Sequence, residues 1–236
     1  MLTVFSALAA TAVALGLPES HPPAQRTTRL HWGQFNAIGQ LVHALRAPRL
    51  RLLFAVVFCF ALGSTVLQAN LAVLLKERLL FNPAAIGFAL AGIGIMDMLS
   101  QGLAAPRLLP RFGERRVAAA GLLINGMGLV TFAALAYHPV LPLLVGGIAL
   151  FTFGDGLFQP SASALIANAA PAGRQGAIMG ANQAQQSIAR MAGPLLSAWL
   201  YGWFASAPYA TAALVVLVAA ALLMRQRAGR SSPVAG

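Results

Sequence analysis

Three charged residues, Asp97, Asp155 and Arg190, interrupt long apolar stretches of this 236-residue chain. A charged side chain near the middle of a bilayer is unfavourable by about 2.5–3.5 kcal/mol, so it generally faces a bundle interior or a water-filled cavity. Two interpretations are open. Either one acid forms a fixed ion pair with Arg190 inside a helical bundle, or the three groups line a permeation pathway in which one carboxylate binds and releases protons.

Uncharged polar residues accompany these charges at intervals of three, four and seven positions, the spacing that places side chains on one stripe of a helix. Around Arg190 the stripe includes Ser187, whereas Gln185 is expected to point away from it. Amide side chains on such stripes can form hydrogen bonds with a small-molecule substrate. The candidates for substrate contact are Gln68, Gln101, Gln159, Asn182, Gln183 and Gln186.

The composition indicates which elements position these residues. Hydrophobic residues make up 58% of the chain, charged residues make up 9%, and the mean hydropathy is +0.75, far from the balance of a soluble domain. We therefore predict an all-α integral membrane domain of six transmembrane helices over residues 51–236. The predicted spans are about 52–75, 84–106, 117–137, 140–168, 176–204 and 208–224. Four of these have a polar stripe, whereas 117–137 and 208–224 have almost none.

Two segments precede the six spans. Residues 1–17 form an apolar run too short to cross a bilayer alone, and no basic residue precedes it, which favours a partial transmembrane helix over a signal peptide. Residues 18–50 are predicted to be a cytoplasmic linker. Near 31–45 its apolar residues recur at intervals of three and four, which predicts an amphipathic helix. This helix either lies on the cytoplasmic leaflet or packs against the ends of other helices.

The basic residues predict the orientation of the chain. Of the sixteen, Lys76 and Arg78 fall on one side of the membrane, Arg190 falls within a span, and the other thirteen fall on the opposite, cytoplasmic side. This distribution explains the net charge of +11 without a nucleic acid partner. Scattered histidines and a single cysteine, Cys59, predict neither a metal site nor a cofactor. The predicted partners are the lipid bilayer, a small-molecule substrate and protons.

Five motifs stand in a characteristic order: "GLPESHPP", "APRLRLL", "RLLPRFGERR", "GDGLFQPSASALI" and "GANQAQQSIARMAGPLLSAWLY". They resemble, in turn, the end of helix six, the start of helix seven, the cytoplasmic loop between helices eight and nine, helix ten and helix eleven of a major facilitator superfamily (MFS) transporter. The resemblance is to the drug:proton antiporter and tetracycline-resistance branch. Arg111, Gly113, Arg115 and Arg116 match the loop motif, whereas Pro110 stands where that motif often has an aspartate.

The resemblance implies a six-helix MFS half-bundle plus the tail of a preceding helix, in which helices seven, eight, ten and eleven line a central cavity. It also implies proton-coupled efflux by alternating access, a bacterial inner membrane location, and a complementary N-terminal half that this chain lacks. The alternative is a non-transporting partial gene product or a membrane scaffold that pairs with another half. An enzyme is not predicted, because no nucleophile stands beside a base and no metal cluster is evident.

Overall fold

The computed structural model describes residues 47–171 and 173–225, and Thr11 before them. The chain divides into two compact units, Met1–Phe35 and Asn36–Gly236. Apart from Thr11, the first unit lies outside the described residues, and so do the partial helix predicted over 1–17 and the amphipathic helix predicted near 31–45. The second unit contains the helices that position the candidate site.

Six long helices and no strand make up the described part of the second unit, which confirms the predicted all-α class. They are α1 (Pro48–Arg78), α2 (Pro83–Phe112), α3 (Glu114–Tyr137), α4 (Leu141–Ala169), α5 (Gln175–Tyr201) and α6 (Ala207–Arg225). All except α5 are long and apolar enough to cross a membrane. The 27 residues of α5 reach about 40 Å, which is also long enough, but its polar residues make it less apolar than the others.

The helix ends follow from local chemistry. Pro48 and Pro83 are the first residues of α1 and α2. At this position a backbone N–H would have no acceptor within the helix, so the N–H that proline lacks is not needed. The Asn82 side chain caps α2 by accepting a hydrogen bond from the Ala85 amide at 2.8 Å. Between α2 and α3, Gly113 has a φ of 79°, a conformation that favours glycine because it has no Cβ. Gly113 thereby lets two long helices meet in a one-residue turn.

A wider π-type turn interrupts α2 at Ser100–Ala104. The Ala105 amide donates to the Ser100 carbonyl, five residues earlier, in place of the usual spacing of four. Pro106 follows Ala105 directly. Proline has no N–H to donate to the carbonyl group four residues earlier in a helix, and its ring crowds that carbonyl group. The widened turn relieves this crowding and lies within one helical turn of Asp97.

The helices contact one another in a continuous order. In the bundle, α2 packs on α4, α4 on α3, α3 on α6, α6 on α1, and α1 on α5. The closest approach is between α3 and α4, where Gly121, Gly128 and Gly154 let the two backbones touch. The core between the helices is built from buried aliphatic and aromatic side chains such as Phe60, which packs on Phe158 with ring centroids 4.3 Å apart.

Polar contacts join α1 to α5. The Asn70 amide donates to the Ser197 carbonyl at 3.1 Å, and the Ser197 hydroxyl donates to the Val66 carbonyl at 3.0 Å. Farther along, the Tyr201 hydroxyl lies 2.6 Å from a Glu77 carboxylate oxygen. Residue numbers rise together along the two helices, so α1 and α5 run in the same direction.

We expect Asn70→Leu to lower the unfolding free energy by about 0.6 kcal/mol, because it removes one interhelical hydrogen bond while keeping a side chain of similar size. Unfolding of the purified chain in mixed detergent micelles measures the change. Gln68→Leu, on the same helix at an exposed position, serves as the control and should leave the unfolding curve in place. Equal destabilisation by both variants would contradict the assignment of the effect to the α1–α5 contact.

Candidate functional site

The two intramembrane acids lie together between α2 and α4. The carboxyl of Asp155 on α4 lies within hydrogen-bonding reach of the carboxyl of Asp97 on α2. Gly156 makes this approach possible, because a Cβ at that position would collide with the Ser100 side chain in the widened turn of α2. Both acids are half-buried. The sequence predicted that the two acids were near mid-membrane; the structure brings them into contact.

One oxygen of the pair has an incomplete set of hydrogen bonds. Asp97 Oδ2 accepts a hydrogen bond from Gln101 Nε2 at 2.9 Å. Asp97 Oδ1 is buried and has no donor among the described residues. An unsatisfied buried oxygen is unfavourable by about 1–3 kcal/mol, so this oxygen is a place where a bound proton or a ligand hydrogen would be stabilising.

Arg190 does not join this pair. Its side chain is exposed on α5, and within the described part of the chain it forms no ion pair with Asp97 or Asp155. In this conformation the fixed ion pair considered from the sequence is therefore absent between these residues. An exposed arginine in the middle of a span is unlike a lipid-facing residue, because a bare charge is strongly disfavoured in hydrocarbon.

The polar residues predicted to form one stripe on α5 do not all have the same exposure. Gln183 and Ser187 are exposed like Arg190, whereas Asn182 is buried. Gln185, which was expected to point away, is also buried and donates to Asn182 Oδ1 at 3.0 Å. Gln185 and Asn182 thus lie on a side of α5 that neighbouring helices cover, away from the exposed Arg190, and the residues expected on one stripe are divided between two environments. Periodicity locates the polar residues of a helix without showing which neighbours cover them.

The remaining substrate-contact candidates differ in exposure. Gln68 on α1 and Gln101 on α2 are exposed, Gln159 on α4 is half-buried, and Gln186 on α5 is buried. Their four helices form a connected group, since α4 contacts α1, α2 and α5. The two helices with few polar residues, α3 and α6, pack on each other and on α4 and α1.

The loop motif between α2 and α3 ties three helix ends together. Arg115 donates to the Leu223 carbonyl at 2.7 and 3.2 Å and to the Met224 carbonyl at 3.4 Å, which satisfies the end of α6. Glu114 accepts two hydrogen bonds, at 2.9 and 3.0 Å, from Asn168 near the end of α4. Arg111 and Arg116 are exposed. The partners of Arg115 and Glu114 are distant in the sequence, so no local pattern could identify them.

Comparison with known proteins gives three consistent similarities. The sequence model of the Major Facilitator Superfamily matches residues 53–236. The "Tetracycline resistance protein, class D" of Salmonella ordonez is 29% identical over 163 residues, which are 65% of this chain and 39% of that protein. The "Major facilitator superfamily domain-containing protein 10" of Homo sapiens is 30% identical over 162 residues, which are 69% of this chain and 34% of that protein.

A solved structure is similar over nearly the whole chain. The crystal structure of the human organic anion transporter MFSD10 (TETRAN) superposes with a TM-score of 0.80 at 25% sequence identity, covering 93% of this chain and 55% of that one. The chain spans less than half the length of each of these two curated relatives. Its helices thus have the arrangement found in one part of a longer transporter.

Proposed function

Because the chain belongs to the Major Facilitator Superfamily, we propose that it forms the C-terminal half of a transporter that exports a small molecule in exchange for protons. Membership of this family of transporters and several apolar helices make it a multi-pass membrane protein. The exchange for protons and the direction of transport are our proposal. Our proposal locates the protein in a bacterial inner membrane, as its similarity to the tetracycline resistance proteins favours.

The contact between Asp97 and Asp155 is the observation that carries the proton-coupling proposal. Two carboxyl groups this close in a poorly solvated place cannot both be charged without strong repulsion, so the pair is suited to holding one shared proton. A proton on Asp155 would also supply a donor to the acid whose buried oxygen lacks one. Loss of the proton would make α2 and α4 repel each other at this point. Proton binding thereby biases the packing of two helices, which is what alternating access requires.

Arg190 supports a cavity on the exposed side of α5. Because a charged side chain avoids lipid, the exposed surface around Arg190, Gln183 and Ser187 requires water, a substrate or another polypeptide. A complementary N-terminal half would enclose that surface and leave a polar cavity. In this proposal Arg190 binds an anionic group of the substrate, as suits an always-charged guanidinium. Relatives named for tetracycline resistance and for organic anion transport guide the choice of test substrates.

The exposed face of α2 supports the same complementary half. No residue of Pro83–Leu99 is buried, and Phe88 and Met98 are 80% and 78% exposed. Along this face the apolar side chains are suited to packing against either lipid or another helix. We propose that the second half of the transporter packs against α2 and α5, the first and last helices in the series of helix contacts that begins at α2 and ends at α5.

We expect the 236-residue chain alone to insert into liposomes and to transport no tetracycline above protein-free liposomes. When it is combined with the N-terminal half of the class D tetracycline resistance protein, uptake into inverted liposomes should appear and should require a pH gradient. Collapse of the gradient with a protonophore is the control. Robust proton-linked transport by the isolated chain would contradict the need for a second half. A correctly inserted pair without transport would favour the scaffold alternative.

A further inference from the structure

A groove lies between the beginning of α1 and the end of α6, away from the acid pair. Its volume is about 460 Å³. The lining residues are Pro48, Arg51, Leu52, Ala55, Leu222 and Arg225. The groove therefore combines two guanidinium groups at the helix ends with an apolar floor that extends toward the membrane interior.

Both arginines of the groove have unused hydrogen-bonding capacity. Within the described residues, neither Arg51 nor Arg225 donates to a carboxylate or carbonyl, and no acid lines the groove. The carbonyl groups at the end of α6, which would otherwise repel an anion, accept hydrogen bonds from Arg115. The groove is thus a positively charged pocket in which the nearest negative end of a helix is already neutralised.

We propose that this groove binds an anionic phospholipid of the cytoplasmic leaflet, with its phosphate between Arg51 and Arg225. Guanidinium groups bind phosphate oxygens through paired N–H donors, and basic pockets between transmembrane helices on the cytoplasmic side are suited to anionic headgroups. The acyl chains lie along Leu52, Ala55 and Leu222. The site is separate from the acid pair, because its lining residues lie at the beginning of α1 and the end of α6, whereas the acids lie on α2 and α4.

The apolar floor favours a lipid over a soluble phosphate ion. A free phosphate would occupy only the charged rim and would leave the half-exposed Leu222 and the exposed Ala55 uncovered. A phospholipid covers both parts at once, so its binding gains apolar contacts in addition to the two charge-assisted hydrogen bonds. The groove also lies at a helix end, the depth at which a headgroup lies in a bilayer.

Native mass spectrometry of the full chain in detergent, with equal amounts of dioleoylphosphatidylglycerol and dioleoylphosphatidylcholine, tests the proposal. We expect the wild-type chain to retain phosphatidylglycerol selectively, and the double variant Arg51→Gln/Arg225→Gln to lose about thirtyfold in its affinity for that lipid. The matched control Arg107→Gln/Arg111→Gln removes two charges from the same end of the bundle outside the groove. It should retain the lipid as the wild type does.

A second variant distinguishes the contribution of the apolar floor from that of the two arginines. Ala55→Phe keeps both arginines and fills the apolar floor, and it should also reduce phosphatidylglycerol retention, whereas helix content by circular dichroism stays unchanged. Inorganic phosphate in large excess should not displace the lipid. Undiminished retention by the double variant or by Ala55→Phe, equal retention of phosphatidylcholine, or full displacement by inorganic phosphate would each overturn the proposal.

Discussion

Replacing Asp155 by asparagine should reduce proton-driven transport by the assembled transporter to the level of protein-free liposomes. An asparagine is nearly the same size as aspartate and can still form a hydrogen bond with Asp97, but its amide cannot bind and release a proton as a carboxyl group does. The α2–α4 contact would then lose its two protonation states. Tetracycline uptake driven by an imposed pH gradient, in the transporter completed with the class D N-terminal half, measures the effect.

Glu77→Gln and Glu114→Gln are matched controls, because each removes one carboxylate outside the acid pair. Both should keep transport dependent on pH. Asp97→Asn should impair coupling as Asp155→Asn does, since the two acids act as one site. If transport remained fully pH-dependent in both variants of the pair, the assignment of coupling to Asp97 and Asp155 would be wrong.

Infrared spectroscopy tests the same pair without a transport assay. Difference spectra between acidic and alkaline buffer should contain a carboxyl band from the pair in the wild-type chain in lipid vesicles. That band should be missing or displaced in Asp155→Asn and should persist in Glu114→Gln. Because this measurement uses the chain by itself, it separates a failure of proton binding from a failure of the two halves to assemble.

The largest structural effect is expected from Gly154→Ala on α4. A Cβ at this position would lie 2.6 Å from the Gly121 carbonyl oxygen and 2.7 Å from Asn125 Cα, both backbone atoms of α3. A backbone cannot move aside as a flexible side chain does, so the two helices must separate along their closest contact. The separation would also weaken the buried hydrogen bond of 3.0 Å from Asn125 Nδ2 to the Phe151 carbonyl. We expect a loss of about 3 kcal/mol of unfolding free energy.

Gly146→Ala is the matched control on the same helix, because nothing lies within 4 Å of a Cβ built there. It should be neutral or stabilising by up to about 1 kcal/mol, the difference in helix propensity between glycine and alanine. Unfolding of both variants in mixed micelles, followed by circular dichroism, compares the two positions. Similar unfolding curves for the two variants would show that α3 and α4 are not in backbone contact at Gly154.

Composition and hydropathy predicted six helices, and the described residues contain six; five of them are long and apolar enough to cross a membrane, whereas α5 is long enough but less apolar. Helical spacing predicted a polar stripe on four of these helices. It did not predict which polar residues are covered, as Gln185 demonstrates. Burial of Gln185 depends on how α5 packs against its neighbours, and that packing is set by contacts such as Asn70 with Ser197 on a helix more than a hundred residues away.

The sequence also could not predict which of the three intramembrane charged residues contact one another. Opposite charges favour pairing Arg190 with an acid, yet the acids contact each other and Arg190 remains apart. The reason is which helices lie next to each other in the bundle. Asp97 and Asp155 lie on adjacent helices held close by Gly156, whereas Arg190 lies on α5, which packs mainly on α1. A glycine in a membrane span is common, so its role at this contact could not be deduced from its identity alone.

The widened turn at Ser100–Ala104 makes the position of Asp97 depend on the number of residues as well as on their types. Removing one residue from it would restore an ordinary helix and rotate the preceding part of α2 by about 100° relative to the part that follows. Asp97 would then leave the side that contacts α4. In an alignment of relatives, a one-residue gap at this turn would therefore mark proteins that have lost the acid pair, even where both aspartates are retained.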